Sequence, residues 1–383
     1  MRIPENIIDD IRNASEVVFV IGSYVKLKKA GSNFVGLCPF HNEKTPSFSV
    51  SPSKQIWRCF GCSRSGNVFT FIMEYEKLNF VEAVRTLAEK SGIEIPESDS
   101  QKSDYSGGES KSAVLYKVNR AAASEYHKNL MSDDGEDARK YLSDREIEGD
   151  MLKDYGIGLA PNEWEWLKKK LSGKGFTLKS LVESGLMGRG EQGGTYDRFK
   201  NRIVFPVINE SGKVVAFGGR IWNEENEGAK YINSPESPVY VKGRVLYGLY
   251  QTKERIRESN RIILVEGYTD FLSIRAAGVS DAAATSGTAL TTGQARLAKR
   301  FADSAVLLYD GDSAGQKAAV RAAIVLLGAG FEVKVAQLPD GSDPDSFVRK
   351  EGIEKLKELI TDALSFVDFR MGIIPGRSVE LNS

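Results

Sequence analysis

The sequence predicts an α+β multidomain chain: a small N-terminal ribbon, then a mixed α/β body that contains a parallel sheet and carries C-terminal helices. Three observations lead there. All three cysteines and one of the two histidines fall between residues 38 and 62. Residues 98–112, SDSQKSDYSGGESKS, are dominated by Ser, Gly and Asp and read as a flexible linker between residues 1–97 and the body. From residue 201 onward, short apolar runs alternate with helical patterns, as βαβ units and a parallel sheet require. A length of 383 residues fits two or three domains of roughly 100–200 residues.

In the head, Cys38-Pro39-Phe40-His41 is followed, after seventeen residues, by Cys59-Phe60-Gly61-Cys62. Two such knuckles bring four ligands to tetrahedral positions, the requirement of Zn²⁺, and four protein ligands leave no open position. One structural zinc is therefore expected. Between the knuckles, residues 47–50 and 55–58 alternate as two strands across 51–54, so the head reads as a zinc ribbon. Lys54, Trp57, Arg58, Phe60 and Arg64 mix cations with aromatic faces, either as a platform for single-stranded nucleic acid or as packing against the knuckles. So few cysteines exclude a disulfide framework and suit a reducing, cytoplasmic setting. The N-terminus lacks a signal-peptide layout, and its longest apolar run, Val17 to Ile21, is far short of the ~20 residues of a membrane span.

In the body, residues 113–142 read as one helix, with His127 on its surface, and a second helix falls near 164–171. Residues 202–208 and 214–217 form a hairpin around Glu210-Ser211-Gly212. Strand 262–265, helix 269–277, strand 305–309, helix 314–327 and strand 333–336 follow. Glu266 directly follows the first of these strands and Asp310 and Asp312 the second, while Asp343 and Asp345 lie beyond the third. In open parallel sheets, ligands gather beyond the carboxyl ends of strands. Carboxylates crowded there repel one another unless a divalent cation neutralises them, and hard oxygen ligands suit Mg²⁺ or Mn²⁺.

These residues carry a resemblance. Glu266-Gly267-Tyr268-x-Asp270, Gly287-Thr288-Ala289-Leu290-Thr291 and Asp310-Gly311-Asp312-x-Ala314-Gly315 resemble the TOPRIM domain of bacterial DnaG-type primases. The two knuckles with Pro46-Ser47-Phe48 resemble the family's head. RFKNRIVFP at 198–206, FGGR at 217–220, KYINSP at 230–235 and KGRVLYGLY at 242–250 look like its basic motifs. The match is collinear from about residue 5 to 350.

The resemblance implies DNA-dependent synthesis of RNA primers, with single-stranded DNA template, NTPs and the replicative helicase as partners, by a monomer in the cytoplasm at the replication fork. It also implies a division into a zinc-ribbon domain (1–97), linker (98–112), N-terminal part of the RNA polymerase domain (113–257), TOPRIM domain (258–347) and C-terminal helical segment (348–383). Glu266, Asp310 and Asp312 would ligate catalytic Mg²⁺ or Mn²⁺, supported by Asp270, Asp343 and Asp345. Lys230 and Lys242 would meet phosphates, and Arg145, Arg198 and Arg202 would line a basic groove. Glu146 stands where the family usually has Gly, and Ser65-Gly66-Asn67 replaces its common Gly-Gly-Asp. The chain ends at Ser383, where family members usually continue into a helicase-binding domain, so a fragment or a different mode of helicase recruitment is expected.

Charge weighs against nucleic acid only in total. The chain carries 52 basic and 52 acidic residues, yet residues 151–300 hold 23 basic against 16 acidic, where the basic motifs lie. A TOPRIM topoisomerase or nuclease is the competing enzymatic reading, although the former needs a larger scaffold with a tyrosine nucleophile. A non-enzymatic zinc-and-TOPRIM DNA-binding protein resembling RecR predicts lost acids, which are present here. A fused helicase is disfavoured, since the chain lacks a GxxxxGK[ST] phosphate loop.

Overall fold

Phe48, Val50, Trp57 and Cys59 alternate with Ser49, Ser51, Ile56 and Arg58, and the period of two turns the first set into a core. The computed structural model describes residues 3, 5–91, 93, 95, 111–190, 193–223 and 228–373. The chain divides into two units, Met1–Asp104 and Tyr105–Ser383. The first holds an antiparallel sheet of β1 (Lys28–Ala30), β2 (Asn33–Gly36), β3 (Phe48–Ser51), β4 (Ile56–Cys59) and β5 (Ser65–Gly66), in that order. The hairpin read from the sequence is its β3–β4 centre. The flanking strands are two to four residues long and carry no clean alternation, so periodicity could not show them.

Helices Val68–Tyr75 and Phe80–Ser91 close the core of the head. Phe48 stacks on Trp57 at 5.3 Å, Phe71 meets Trp57 edge-on at 6.0 Å, and the Trp57 indole donates to the Asn67 carbonyl. Asn67 also caps helix Val68–Tyr75 by accepting from the Thr70 N–H. Aspartate caps in the same way, so the departure from Gly-Gly-Asp preserves the helix start.

Within the second unit, helix Lys111–Met131 begins inside the stretch read as linker; residues 98–110 lie outside the described residues. The single helix expected over 113–142 is interrupted by a 3₁₀ turn at Asp133–Gly135 and resumes at Glu136–Ser143. His127 is half-buried rather than on the surface, its Nδ1 lying 2.7 Å from the Ile157 carbonyl, because this face of the helix packs on the first strand of the body.

That strand, β6 (Gly158–Ala160), is followed by the short pair β7 (Met187–Arg189) and β8 (Thr195–Asp197), then by β9 (Arg202–Ile208), β10 (Val214–Arg220) and β11 (Tyr231–Asn233). An antiparallel sheet forms in the order β11-β10-β9-β6, with the expected β9–β10 hairpin at its centre.

The second sheet contains β12 (Arg261–Val265), β13 (Ala282–Ala284), β14 (Ser304–Leu307), β15 (Glu332–Val335) and β16 (Leu364–Ser365), in the order β13-β12-β14-β15-β16. The first four run parallel and β16 is antiparallel. β13 is an all-alanine strand that no β propensity announces. Helices Pro344–Glu351, Ile353–Thr361 and Phe366–Ile373 follow, and residues 374–383 lie outside the described residues.

One apolar core joins the two sheets through Phe205, Tyr247, Tyr268 and Phe271. Tyr268, in the helix that follows β12, stacks on Phe205 of β9 at 5.2 Å, and its hydroxyl donates to Asn233 Oδ1 at 2.6 Å. The carboxyl edge of the parallel sheet is thereby tied to the end of β11. Among the described residues, no helix is long and apolar enough to cross a membrane.

Candidate metal centre and acidic sheet edge

In the head, one ligand atom from each of Cys38, His41, Cys59 and Cys62 lies within 4.8 Å of the others, the one such Cys/His/Asp/Glu group among the described residues. Cys38 Sγ and Cys62 Sγ are 3.9 Å apart, and Cys59 Sγ and His41 Nδ1 are 3.7 Å apart. A Zn–S bond of about 2.3 Å gives tetrahedral edges of about 3.8 Å, so the cage fits zinc. The Phe40 and Cys62 N–H groups each point at a knuckle sulfur at 3.4 Å. Burial pushes the Cys38 thiol up, whereas hydrogen bonding from Ser47 and from the Cys62 and Gly61 N–H groups outweighs burial at Cys59 and pulls its thiol down, so the pair shares its protons unevenly. Zinc takes thiolates, so its binding would release the protons that remain on these sulfurs.

The aromatic residues beside the knuckles separate. Trp57 is fully buried and belongs to the core, which removes it from any binding platform. Phe60 is 70% exposed, with the Arg58 guanidinium 5.4 Å from its ring centre. Arg64 sits over Phe40 at 5.6 Å and pairs with Glu74, and Lys54 is exposed.

In the body, Glu266 follows the last residue of β12, and Asp310 lies three residues past β14. Helices begin immediately afterwards, and several acids serve their N-termini, where the backbone dipole favours negative charge. Asp312 accepts from the Gly315 N–H at 2.7 Å, Asp343 from the Ser346 N–H at 2.6 Å and Asp270 from the Gly267 N–H at 3.0 Å. Gly311 makes room for the turn: a Cβ there would lie 2.1 Å from the Pro339 carbonyl oxygen.

The acids of the edge raise one another's pKa values. Burial, then Asp310 and Asp312, push Glu266 up to about 7 against the pull of Arg321. Burial, then Asp310, Asp343 and Asp345, raise Asp270 to about 7. Asp310 is raised by burial and by Asp343 and Asp312, with Lys230 opposing. Glu266 Oε1 is buried without a hydrogen-bond partner. An unpaired buried carboxylate oxygen among mutually repelling acids suits a hard divalent cation.

Asp345 is placed differently from the other acids. It is buried, accepts from Ser273 Oγ at 2.5 Å, and pairs with Arg349 at 3.1 Å and with Arg145 Nε at 3.7 Å. Its contacts hold Arg145, whose guanidinium lies 3.9 Å over the Tyr141 ring. Arg145 and Lys230 line a cavity of about 350 Å³ together with Tyr141, Trp222 and Arg220. Arg220 had only its place in the FGGR run to mark it. Its Nε donates to the Tyr231 hydroxyl, which lies 2.8 Å from Thr269 Oγ1 in the helix after Glu266. Glu146, at the family's glycine position, has φ of 58°, the left-handed conformation that glycine adopts freely.

The remaining cations have distinct settings. Arg198 is half-buried and donates to the Asn233 carbonyl. Arg202, expected along a groove, is buried, with its guanidinium facing the Gly219 and Lys230 carbonyls, because it sits on an inward position of a central strand. Burial lowers the pKa of Lys242, and its loop is tied to helix Thr292–Lys299 by Gln294 and Thr291. One cation–aromatic group had no sequence signal. Trp164, 60% exposed, meets Tyr196 edge-on and carries Lys200 Nζ 3.8 Å above its ring.

A zinc ribbon, together with a body whose parallel sheet gathers acids at its carboxyl edge beside a cationic cavity, defines a Toprim-containing metalloprotein. Family models match along the chain: CHC2 zinc finger over residues 3–103, DNA primase catalytic core, N-terminal domain, over 125–253, and Toprim-like over 263–348. The DNA primase of Halalkalibacterium halodurans is 44% identical over 373 residues, covering 97% of this chain and 61% of that protein. The crystal structure of the Aquifex aeolicus primase zinc-binding and RNA polymerase domains is similar at TM-score 0.64 and 37% identity, covering 96% of this chain and 88% of that one. A DnaG primase catalytic domain bound to single-stranded DNA matches at TM-score 0.63 and 35% identity, covering 68% of this chain and 84% of that one. The chain belongs to the DnaG-type primase family. It spans about three fifths of the length of the curated relatives it matches.

Proposed function

We propose that the chain synthesises short RNA primers on single-stranded DNA by metal-dependent nucleotidyl transfer from NTPs. The observation that carries this reading is the meeting of the two halves of such a site: Glu266, Asp310 and Asp312 on one sheet edge, with Lys230 close enough to Asp310 to shift its protonation and sharing a cavity with Arg145 and Arg220.

In this reading the primer 3′-oxygen attacks the α-phosphorus of the incoming NTP, and pyrophosphate leaves. Arg145, Arg220 and Lys230 hold the triphosphate. Glu266, Asp310 and Asp312 hold Mg²⁺ or Mn²⁺, with Asp270 and Asp343 shaping the edge and Asp345 fixing Arg145. The bound cation neutralises the acids and supplies Lewis-acid charge to the phosphate oxygens. Catalysis is mainly positioning and charge neutralisation.

Arg198, Lys242 and the Trp164–Lys200 pair face the template strand, and Arg202 fixes the Lys230 segment from beneath. Cys38, His41, Cys59 and Cys62 hold the structural zinc, and Phe60 with Arg58 offers a stacking face for template bases. The solved relative bound to single-stranded DNA supports the choice of template. We assign residues 1–97 to the zinc-ribbon domain, 98–110 to the linker, 111–257 to the first part of the polymerase domain, 258–351 to the TOPRIM domain and 352–383 to a C-terminal segment, because helix Lys111–Met131 begins before 113, helix Pro344–Glu351 crosses 347, and β16 belongs to the second sheet. The setting is the cytoplasm at the replication fork, with the replicative helicase as partner and the chain acting as a monomer.

The test is incorporation of labelled NTPs into short products on single-stranded templates. Synthesis should vanish in Asp310→Ala and Asp312→Ala while circular dichroism stays unchanged; an active double variant would overturn the assignment.

A further inference from the structure

Between the two knuckles lies a carboxylate that no ligand spacing singles out. The Glu43 side chain is only 10% exposed. Its Oε1 accepts the Cys38 N–H at 2.7 Å and the Ser47 N–H at 3.1 Å. Its Oε2 accepts the Ser47 hydroxyl at 2.5 Å and lies 3.2 Å from His41 Nε2. Ser47 in turn touches Cys59, Oγ to Sγ at 3.2 Å, and its carbonyl accepts the Phe60 N–H. Glu43 thus holds the first knuckle directly and the second through Ser47.

We propose that Glu43 is the positioning residue of the zinc centre: it fixes the His41 ring so that Nδ1 meets the metal, and it fixes the spacing of the Cys38 and Cys59 knuckles. The argument rests on the ring's two nitrogens. Nδ1 lies 3.7 Å from Cys59 Sγ, on the cage side, while Nε2 faces the carboxylate. A carboxylate 3.2 Å from Nε2 favours the proton on that nitrogen, which leaves Nδ1 as the lone pair for the metal.

Gly61 is independent support. A Cβ there would stand 2.6 Å from His41 Nε2 and 2.9 Å from Ser47 Oγ, in the space that the His41–Glu43–Ser47 group occupies. The Ser47 hydroxyl has one proton and two neighbours able to take it, Glu43 and Cys59. The two contacts share that proton, so the carboxylate bears on what the Cys59 sulfur receives.

This inference concerns metal retention and stands whether or not the chain makes primers. The experiment uses the full chain and its Glu43→Gln and Glu43→Ala variants, with zinc affinity read by competition against a chromogenic chelator and the imidazoles read by ¹⁵N NMR. The chain has only two histidines, so the spectrum is simple. Glu43→Ala should bind zinc about 10–100-fold more weakly. Glu43→Gln should fall between it and the parent, because its amide keeps one acceptor oxygen. His41 should be metallated through Nδ1, and its Nε2 signal should move in Glu43→Gln.

Zinc affinity within twofold of the parent in Glu43→Gln, or metallation of His41 through Nε2, would overturn the proposal. A weaker Glu43→Gln with an unmoved Nε2 signal would overturn the link through His41. Should Glu43→Ala fail to fold, the two measurements on Glu43→Gln decide alone.

Discussion

The head and the body each gather metal-binding side chains, and they do so in opposite ways. In the head, four ligand atoms already lie within 4.8 Å of one another, held by knuckle N–H groups and by Glu43. At the acidic edge of the body no three ligand atoms are that close among the described residues, and Asp270, Asp312 and Asp343 serve helix N-termini. The difference follows from coordination chemistry. A zinc held by four protein ligands adds to folding and should stay, whereas a catalytic cation must arrive and leave with its substrate. An edge whose acids crowd one another, with Glu266 and Asp270 pushed up to about 7, suits exchange.

The largest effect that could break this contrast is on the head. Removing zinc, or Cys59→Ser, should unfold it, since zinc-finger sites contribute on the order of 10 kcal/mol to folding. The body should keep its own melting transition in calorimetry; a single transition that falls as a whole would erase the distinction. Next, Asp310→Ala should lower primer synthesis by at least about a thousandfold, which corresponds to roughly 4 kcal/mol of transition-state stabilisation. Zinc content measured on the same sample should remain one per chain.

Trp57→Ala should cost about 3–5 kcal/mol in denaturant unfolding of the head. Phe60→Ala should change stability by under about 0.5 kcal/mol while weakening retention of single-stranded DNA. Equal stability losses would contradict the division between core and platform.

The smallest effect is on pH dependence. Glu266 and Asp270 have folded pKa values raised to about 7, so between about pH 4 and 7 the folded state holds more protons than the unfolded one. Their contribution to stability therefore falls as pH rises through that window. Mg²⁺ should raise the melting temperature of the body by about 2–5 °C more at pH 8 than at pH 5. An equal increase at both pH values would show that the acids do not take up the ion.

Much of the site was legible because its chemistry is local in sequence. Cysteine spacing announced the cage, and acids placed just after apolar runs announced the edge. What the sequence hid depends on long-range packing. Trp57 and Phe60 are both aromatic residues beside the second knuckle, yet the first is an inward residue of β4 and the second stands exposed on the turn that follows it. Arg202 and Arg220 both belong to the central hairpin, yet the first is spent on backbone carbonyls and the second lines the cavity. Asp345 looked like one more acid of the edge; it does raise Asp270, and it also pairs with Arg349 and Arg145, which spacing in the sequence could not show. In the fold, β13 and the short strands of the head escaped notice because partner strands, rather than their own periodicity, define them.

The ring stack of Tyr268 on Phe205, with the hydroxyl on Asn233, joins the helix after Glu266 to the strand that follows Lys230. Where two binding sites are coupled, linkage makes the effect of each on the other reciprocal. If the proposed cation and triphosphate both bear on this joint, whichever seats first should change the affinity for the other by the same factor. The protein should consequently show synergy between metal and nucleotide in equilibrium titrations, with neither ligand obliged to bind first.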